Sequence, residues 1–272
     1  MSLHLVENRK NDNEKIIADL ESVTKTFSNG ETVIQDLNLS VYKSDFITLL
    51  GKSGCGKTTI LKMLCGLLKP SSGNVKWPTS TFTNSEKNPA NLSVVFQDSN
   101  LLPWLNVFDN VLLPLKLNKL MNKYERLERV LSCIKLVGLN NFEKYFPNQL
   151  SGGMKQRVSV ARAFASDPEV LLMDEPFGSL DEQNKYILQE ELLSIWKQNR
   201  KTVVFITHSI DEAIKLGDSI LVMSRQPGNI KEKIEVDIPR RDRNVEDLRS
   251  HSKFQQLFKQ IWNSLKEEGF RE

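Results

Sequence analysis

Five short apolar runs along the chain predict buried β-strands. Their apolar residues are continuous, as in strands of a parallel sheet that is covered on both faces. The runs are residues 46–50 (FITLL), 93–96 (SVVF), 170–173 (VLLM), 202–207 (TVVFIT) and 219–223 (SILVM). Helical patterns lie between them, the first from about Lys57 to Leu68, whereas residues 74–92 are irregular. This alternation predicts an α/β fold with a mostly parallel sheet.

Residues that can contact a ligand directly follow four of these runs. They are Gly51, Gln97, the adjacent acids Asp174 and Glu175, and His208. In an open parallel sheet, ligands bind beyond the carboxyl ends of the strands. Four such endings together predict a single site along one edge of the sheet.

The remaining segments predict how the chain is organised around that sheet. Residues 98–166 have mainly helical patterns, which predicts a helical subdomain inserted into a main domain of residues 16–240. Residues 1–15 form a polar extension and residues 241–272 a tail. The tail has apolar residues at helix spacing: Phe254, Leu257, Phe258, Ile261, Trp262 and Leu265. We expect this amphipathic helix to pack on its own protein, because its polar face is not strongly basic.

Composition narrows the function classes. The 272 residues carry a net charge of only +3, which argues against a dedicated nucleic-acid-binding protein. No apolar run approaches the ~20 residues that cross a bilayer, and the polar start does not look like a signal peptide. We therefore expect a cytoplasmic protein, whose three cysteines, without a CxxC pair, are ordinary thiols.

The stretch GKSGCGKTT, residues 51–59, matches a phosphate-binding loop between a strand and a helix. Its glycines let backbone N–H groups surround phosphate oxygens, Lys57 can reach the β- and γ-phosphates, and the Thr58 hydroxyl can bind Mg²⁺. The loop predicts ATP and Mg²⁺ as cofactors. The predicted ATP contacts in the loop are Gly51, Lys52, Ser53, Gly54, Cys55, Gly56, Lys57, Thr58 and Thr59.

The other strand ends supply the chemistry of hydrolysis. Asp174 suits the Mg²⁺ shell, and Glu175 is placed to polarise an attacking water. His208 can donate a hydrogen bond to the γ-phosphate. Gln97 either binds Mg²⁺ and positions water or is a polar end to its strand. The predicted Mg²⁺ ligands are Thr58, Gln97 and Asp174.

A second anion-binding pattern lies in LSGGMKQR, residues 150–157. Ser151 is a preferred N-cap, the two glycines after it carry no side chain, and no acid follows nearby. Such a helix start attracts negative charge. The chain therefore has two places suited to a phosphate.

Taken together, these motifs resemble the ATP-binding subunit of an ABC transporter over residues 16–240. The resemblance implies a P-loop ATPase core with an N-terminal antiparallel β region. It also implies a head-to-tail dimer, in which each ATP is held by Lys57 of one subunit and the LSGGMKQR signature of the other. The implied signature contacts are Ser151, Gly152, Gly153 and Gln156. Phe27, upstream of the phosphate loop, could equally be strand core or stack on a base, and the resemblance implies stacking on the base.

A narrower similarity, carried by segments such as MDEPFGSLDEQ and THSIDEAIKLGDSILVMSRQPGNI, is to importer ATPases of the nitrate, sulfonate and taurine group, with thiamine-precursor importers as relatives. It implies a second ATPase subunit, an integral membrane permease, an indirect extracytoplasmic solute-binding protein, and a peripheral position on the cytoplasmic face of the membrane, without nucleic acid. Residues 101–115 are rich in large apolar side chains, which suits a groove for a helix of the permease.

Two other functions remain open from the residues. A soluble ABC ATPase could act on nucleic acid or ribosomes, although the insert is short and the chain has one ATPase unit. A nucleotide kinase could share the phosphate loop, but the ordered LSGGMKQR and VLLMDEP motifs argue against it.

Overall fold

The computed structural model describes residues 15–77, 91–117, 121–243 and 248–267, with the backbone alone at 198–199. The strands are β1 Ile16–Thr26, β2 Thr32–Tyr42, β3 Phe46–Leu50, β4 Ser72–Lys76, β5 Leu92–Val95, β6 Val170–Asp174, β7 Thr202–Thr207, β8 Ser219–Met223 and β9 Ile230–Glu235. The helices are α1 Lys57–Leu64, α2 Val107–Leu117, α3 Lys123–Leu136, α4 Gly152–Ala165, α5 Glu182–Asn199, α6 Ile210–Leu216 and α7 Ser252–Glu267.

The main sheet has the strand order β5-β6-β7-β3-β8-β9. Its first five strands are parallel, and β9 is antiparallel to β8. The predicted α/β fold with a mostly parallel sheet is therefore confirmed. Strands β3, β7 and β8 coincide with the predicted runs, while β5 is shifted back by one residue and β6 extends to Asp174.

A second sheet, of order β2-β1-β4, is antiparallel, which confirms the expected N-terminal β region. Its β4 includes residues 74–76, so the prediction of an irregular segment from residue 74 is wrong at its start. Residues 78–90 lie outside the described part of the chain. The predicted polar extension also lies almost entirely outside it, since the description begins at Lys15.

Alternating side chains of the parallel strands pack into two different clusters. Leu171 and Met173 of β6 lie in the cluster that also holds α2, α3 and α4. Val170 and Leu172 lie in the cluster with α1 and the antiparallel sheet. Burial on both faces explains why these strands are continuously apolar. The helices between β5 and β6 thus share a core with the sheet, and the boundaries of the predicted helical subdomain stay a prediction.

The first helix is shorter than predicted. Its last residue is Leu64, so the predicted end at Leu68 is wrong. Gly66 has a φ of 73°, and its N–H donates to the carbonyl oxygen of Met63 at 3.1 Å. A left-handed glycine just after the last turn ends a helix, and Gly66 is the residue in the sequence that signals this end.

The predicted amphipathic helix in the tail is α7. Phe254, Ile261 and Leu265 are buried against residues of α6, β8 and β9, with Leu257 and Phe258 partly buried beside them. The prediction that this helix packs on its own protein is confirmed.

Candidate ATP-binding and hydrolysis site

The phosphate loop, residues 51–56, connects the buried strand β3 to the start of α1. Gly56 has a φ of 98°, and a Cβ built there would lie 2.4 Å from Ile34 Cδ1. A side chain at this position would be both strained and blocked, so the turn requires glycine. The first turn of α1 has no acidic residue, which leaves the positive end of its dipole available to an anion.

Lys57 brings a positive charge to this loop. The residue is 5% exposed, and its Nζ donates hydrogen bonds to the carbonyl oxygens of Gly51 and Lys52 at 2.7 and 2.8 Å. These bonds fold the loop around the ammonium group. A buried lysine beside a helix N-terminus is suited to bind the phosphates of a nucleotide.

Asp174 ends β6 and is 2% exposed. Its Oδ2 accepts a hydrogen bond of 2.8 Å from Thr58 Oγ1. Burial raises the pKa of the Asp174 carboxyl, while the Thr58 hydrogen bond and the Lys57 charge lower it. The phosphate-loop helix and the end of β6 are thus joined by two oxygen groups of the kind that Mg²⁺ prefers.

Glu175 lies directly after β6 in a left-handed conformation, with φ of 46°. The conformation is fixed by hydrogen bonds from Glu175 N to Ile206 O, at 3.0 Å, and from Gly178 N to Glu175 O, at 3.2 Å. The Glu175 side chain is 17% exposed, and its Oε2 lies 3.2 Å from His208 Nδ1. The imidazole is 62% exposed, so this pair reaches from the sheet edge to solvent.

Gln97 is an exposed residue just beyond β5. Because β5, β6, β7 and β3 are neighbours in the sheet and parallel, their carboxyl ends share one edge. That edge carries Gln97, Asp174, Glu175, His208 and the phosphate loop. The structure therefore brings the predicted residues of one subunit together, and their roles toward ATP and Mg²⁺ stay predictions.

Phe27 lies in the turn between β1 and β2, which belong to the antiparallel sheet. It is 39% exposed, and Lys25 Nζ lies 5.3 Å from its ring centroid. An exposed ring can stack on a base. The neighbouring strand β2 approaches the phosphate loop through Ile34, as the close contact at Gly56 shows.

The start of α4 is the second candidate phosphate site. Ser151 is its exposed N-cap, and Ser151 Oγ accepts from Met154 N at 3.3 Å. A Cβ built on Gly152 would meet nothing within 4 Å, whereas one on Gly153 would lie 3.2 Å from Ser179 O. Gly152 therefore opens the helix start to the outside, and Gly153 lets α4 approach the loop before α5.

Gln156 is placed differently from the other signature residues. It is 2% exposed, and its Nε2 donates to Phe96 O at 3.0 Å, next to Gln97. The structure buries this side chain within its own chain and does not present it to a second subunit. This burial is at odds with the expected contact between Gln156 and a partner's ATP. The LSGGMKQR pattern could not exclude that contact, because it does not reveal which face of the helix packs inward.

A polar network under His208 was not foreseen. Glu212 is 7% exposed and accepts hydrogen bonds from Thr207 Oγ1 and, at 3.2 Å, from Gln189 Nε2. Ser209 N donates to Thr207 Oγ1 at 3.0 Å, so the network fixes both neighbours of His208. A signal was present, because Ser209 and Glu212 have the spacing of a capping box at the start of α6.

Comparison with known proteins gives a consistent result. A family model described as ABC transporter matches residues 34–178. An uncharacterised ABC transporter ATP-binding protein of Methanocaldococcus jannaschii is 45% identical over 96% of both chains. A taurine import ATP-binding protein of Rhizobium johnstonii is 44% identical over 81% of this chain and 84% of its own.

A solved structure is similar as well. It is a dimeric ATP-binding cassette in a post-hydrolysis state, bound to ADP and phosphate. The TM-score is 0.72 at 32% identity, covering 82% of this chain and all of that one.

The raised pKa of Asp174 makes a prediction about stability. Because folding raises this pKa, the ionised carboxylate lowers the free energy of unfolding at pH values above the folded pKa. The penalty disappears as the pH falls through the folded pKa toward the unfolded value of about 3.9. We expect Asp174→Asn, which can still accept from Thr58, to melt at a higher temperature than the wild type at pH 7.5, with the difference shrinking toward pH 4.

The measurement is thermal unfolding of both proteins across this pH range. Asp181→Asn is the control of opposite sign, because hydrogen bonds from Asn184 lower the pKa of Asp181 and favour its ionised form in the folded state. A melting temperature for Asp174→Asn at or below that of the wild type at pH 7.5 would contradict the raised pKa of Asp174 in the folded state.

Proposed function

The chain belongs to the ABC transporter family of ATP-binding proteins, and from this premise we propose that it is the ATP-hydrolysing subunit of an importer. Two copies bind two ATP molecules between them, and their closure drives a separate membrane permease. The observation that carries the proposal is the sheet edge where Lys57, the Thr58–Asp174 pair and the Glu175–His208 pair meet. The relatives named as import ATP-binding proteins favour this function over a soluble ATPase acting on nucleic acid or ribosomes.

ATP binds at the phosphate loop of each subunit. Lys57 and the start of α1 hold the phosphates, and Phe27 stacks on the base. The oxygen donors at the loop fit Mg²⁺, because this ion takes one or two carboxylates together with phosphate and water. Thr58 and Asp174 would hold it, with Gln97 beside them, and it would neutralise charge on the β- and γ-phosphates.

Hydrolysis depends on Glu175 and His208. Glu175 accepts a proton from the water that attacks the γ-phosphate, and His208 donates a hydrogen bond to that phosphate. Their 3.2 Å contact lets the imidazole orient the carboxylate.

The second subunit completes each site. Ser151 and Gly152 are exposed at the start of α4, and no acid lies in the first turn of that helix. These features support a contact with the γ-phosphate of an ATP bound to the partner's phosphate loop. The dimeric cassette with ADP and phosphate is a precedent for nucleotide binding within such a pair.

The permease binds near the apolar segment that follows Gln97. Trp104 is 69% exposed, and its loop is fixed by the fully buried Asn110, which bonds to backbone atoms of Leu102, Leu105 and Asn106. An exposed tryptophan on a rigid loop is a typical anchor of protein interfaces. In the described ranges no helix has the length and apolar character of a membrane span.

The imported solute is a small sulfonate such as taurine, in line with the taurine importer relative. An extracytoplasmic binding protein would deliver it to the permease, while this subunit stays on the cytoplasmic face of the membrane. An ATPase subunit need not touch the solute, so its residues do not select among nitrate, sulfonates and thiamine precursors.

Glu175→Gln tests the catalytic assignment. The amide cannot accept the proton of the attacking water, so we expect ATP hydrolysis to fall about 10²- to 10⁴-fold while ATP binding remains. ATP should then hold the protein as a dimer, which light scattering after size-exclusion chromatography measures. Glu182→Gln, an exposed acid on α5, is the matched control and should hydrolyse ATP normally. Normal turnover in Glu175→Gln would remove Glu175 from this role.

Ser151→Arg tests the shared site. A long side chain at the start of α4 should block the partner's γ-phosphate and lower hydrolysis at least ~100-fold, because transition-state donors are worth about that much. ATP affinity at the same chain's Lys57 should not change. Ser132→Arg adds the same bulk and charge at an exposed serine of α3 and should be active. If Ser151→Arg instead loses ATP binding, the cross-subunit arrangement is wrong.

Trp104→Ala tests the permease surface. Loss of a central aromatic anchor costs about 2 kcal/mol or more of binding, roughly a thirtyfold loss of affinity. We therefore expect a smaller fraction of Trp104→Ala than of the wild type to sediment with membranes of the source cells, because its affinity for the permease is lower. Leu67→Ala removes a side chain of nearly equal exposure, 68%, from the turn that follows α1 and should sediment like the wild type. Equal sedimentation of the two variants would refute this surface.

A further inference from the structure

The segment that carries Gln97 is held by α4. Gln156 donates to Phe96 O at 3.0 Å, and Arg162 donates to Ser99 O at 3.1 Å and to Asn100 O at 2.9 Å. These hydrogen bonds lie on both sides of Gln97. The position of Gln97 therefore depends on α4 as well as on the strand that precedes it.

The contact between α4 and residues 96–100 is made by one buried side chain and one charged side chain. Gln156 is buried, and the guanidinium of Arg162 makes two charge-assisted hydrogen bonds to consecutive carbonyl groups. Asn100 has a φ of 47°, a left-handed turn conformation that asparagine adopts more readily than most residues other than glycine. A segment fixed in this way follows α4 when the helix moves.

The same helix begins at the candidate contact with the partner's ATP. Gln156 comes five residues after the N-cap Ser151, about 7.5 Å along the axis at the usual helical rise. Helix α4 thus connects Ser151, the proposed contact with the partner's ATP, to the segment that carries Gln97.

We propose that Gln156 and Arg162 are positioning residues that hold Gln97 in place through the backbone of residues 96–100, so that contact between Ser151 and the partner's ATP sets the position of Gln97 in the subunit's own site. The proposal rests on the proposed function, because it needs the shared dimer site and a role for Gln97 in hydrolysis. It gives Gln156 an action within its own chain in place of a contact with the partner's ATP.

A double-mutant cycle tests this action. Gln156→Leu should lower the kcat for ATP about tenfold while the KM changes less than about twofold, since a misplaced group costs rate more than nucleotide binding. In a Gln97→Ala background the same change should cost less than about twofold, because the group through which Gln156 acts is already gone. Arg162→Met should behave in the same way, and Arg162→Lys should recover part of the rate.

A second measurement uses the protein without nucleotide. Hydrogen exchange of the peptide spanning residues 96–106 should become faster in Gln156→Leu and Arg162→Met, because its carbonyl anchors are lost. Ser159→Ala is the matched control. Ser159 lies on α4, is 1% exposed, and its hydroxyl has no hydrogen-bond partner among the described residues. It should change neither the exchange nor the kcat.

The outcomes separate this inference from the proposed function. Equal losses of kcat from Gln156→Leu in both backgrounds would overturn the inference, since a general structural defect or a direct contact with the partner's ATP gives additive losses. Wild-type kcat and exchange in Gln156→Leu and Arg162→Met would overturn it too. If Gln97→Ala alone leaves kcat unchanged, the proposed role of Gln97 is wrong, and the inference fails with it. If Gln156→Leu does not fold, the partly buried Arg162 carries the same cycle.

Discussion

A partly buried hydrogen bond between Thr58 and Asp174 joins the phosphate-loop helix, which follows β3, to β6, the second strand from β3 in the sheet. Strand β7 lies between β3 and β6, so this contact closes the site across three neighbouring strand ends. Its 2.8 Å length and the burial of Asp174 fix the phosphate loop relative to Glu175, the next residue in the chain. The contact has a cost, because burial raises the pKa of a carboxyl that the proposed Mg²⁺ site needs ionised. The buried carboxylate therefore lowers the free energy of unfolding, which is common for groups in active sites.

Around this contact, the structure fixes the backbone more than the side chains. The backbone of Glu175 is held by two hydrogen bonds, one donated by its own N–H and one by Gly178 N. His208 lies between Thr207 and Ser209, which are hydrogen-bonded to each other and to Glu212. The imidazole itself is 62% exposed. A rigid frame with an exposed histidine suits a group that must contact a phosphate when a dimer closes and leave it when the dimer opens.

Helix α4 connects the two candidate phosphate sites in the same way. Its N-terminus is open at Gly152, Gly153 packs on the loop before α5, and two of its side chains hold the segment of Gln97. The loop after that segment is anchored in turn by Asn110, which carries Trp104 to the surface. Hydrogen bonds from α4 thus hold the segment of Gln97, and a separate group of hydrogen bonds from Asn110 holds the apolar loop that follows it in the chain.

The sequence itself determined the strands, the sheet type and which of the predicted residues share the sheet edge. The apolar runs were continuous because both faces of the sheet are covered, and residues directly after parallel strands must share an edge. Local chemistry also determined the phosphate loop, since Gly56 is required by a left-handed turn that no other residue type fits well. The end of α1 at Leu64 was missed because Gly66 was not read as a helix stop.

Only the tertiary structure decided which way a helix faces and what it touches. Nothing in LSGGMKQR distinguishes the exposed Ser151 from the buried Gln156. The burial of Gln156 depends on its packing against residues 96–100, and its hydrogen-bond partner Phe96 is 60 positions away in the chain. The same holds for the Thr58–Asp174 contact, which joins residues 116 positions apart. Short-range patterns specify the local backbone and the face that is apolar, whereas hydrogen bonds between distant segments exist only once the chain has packed.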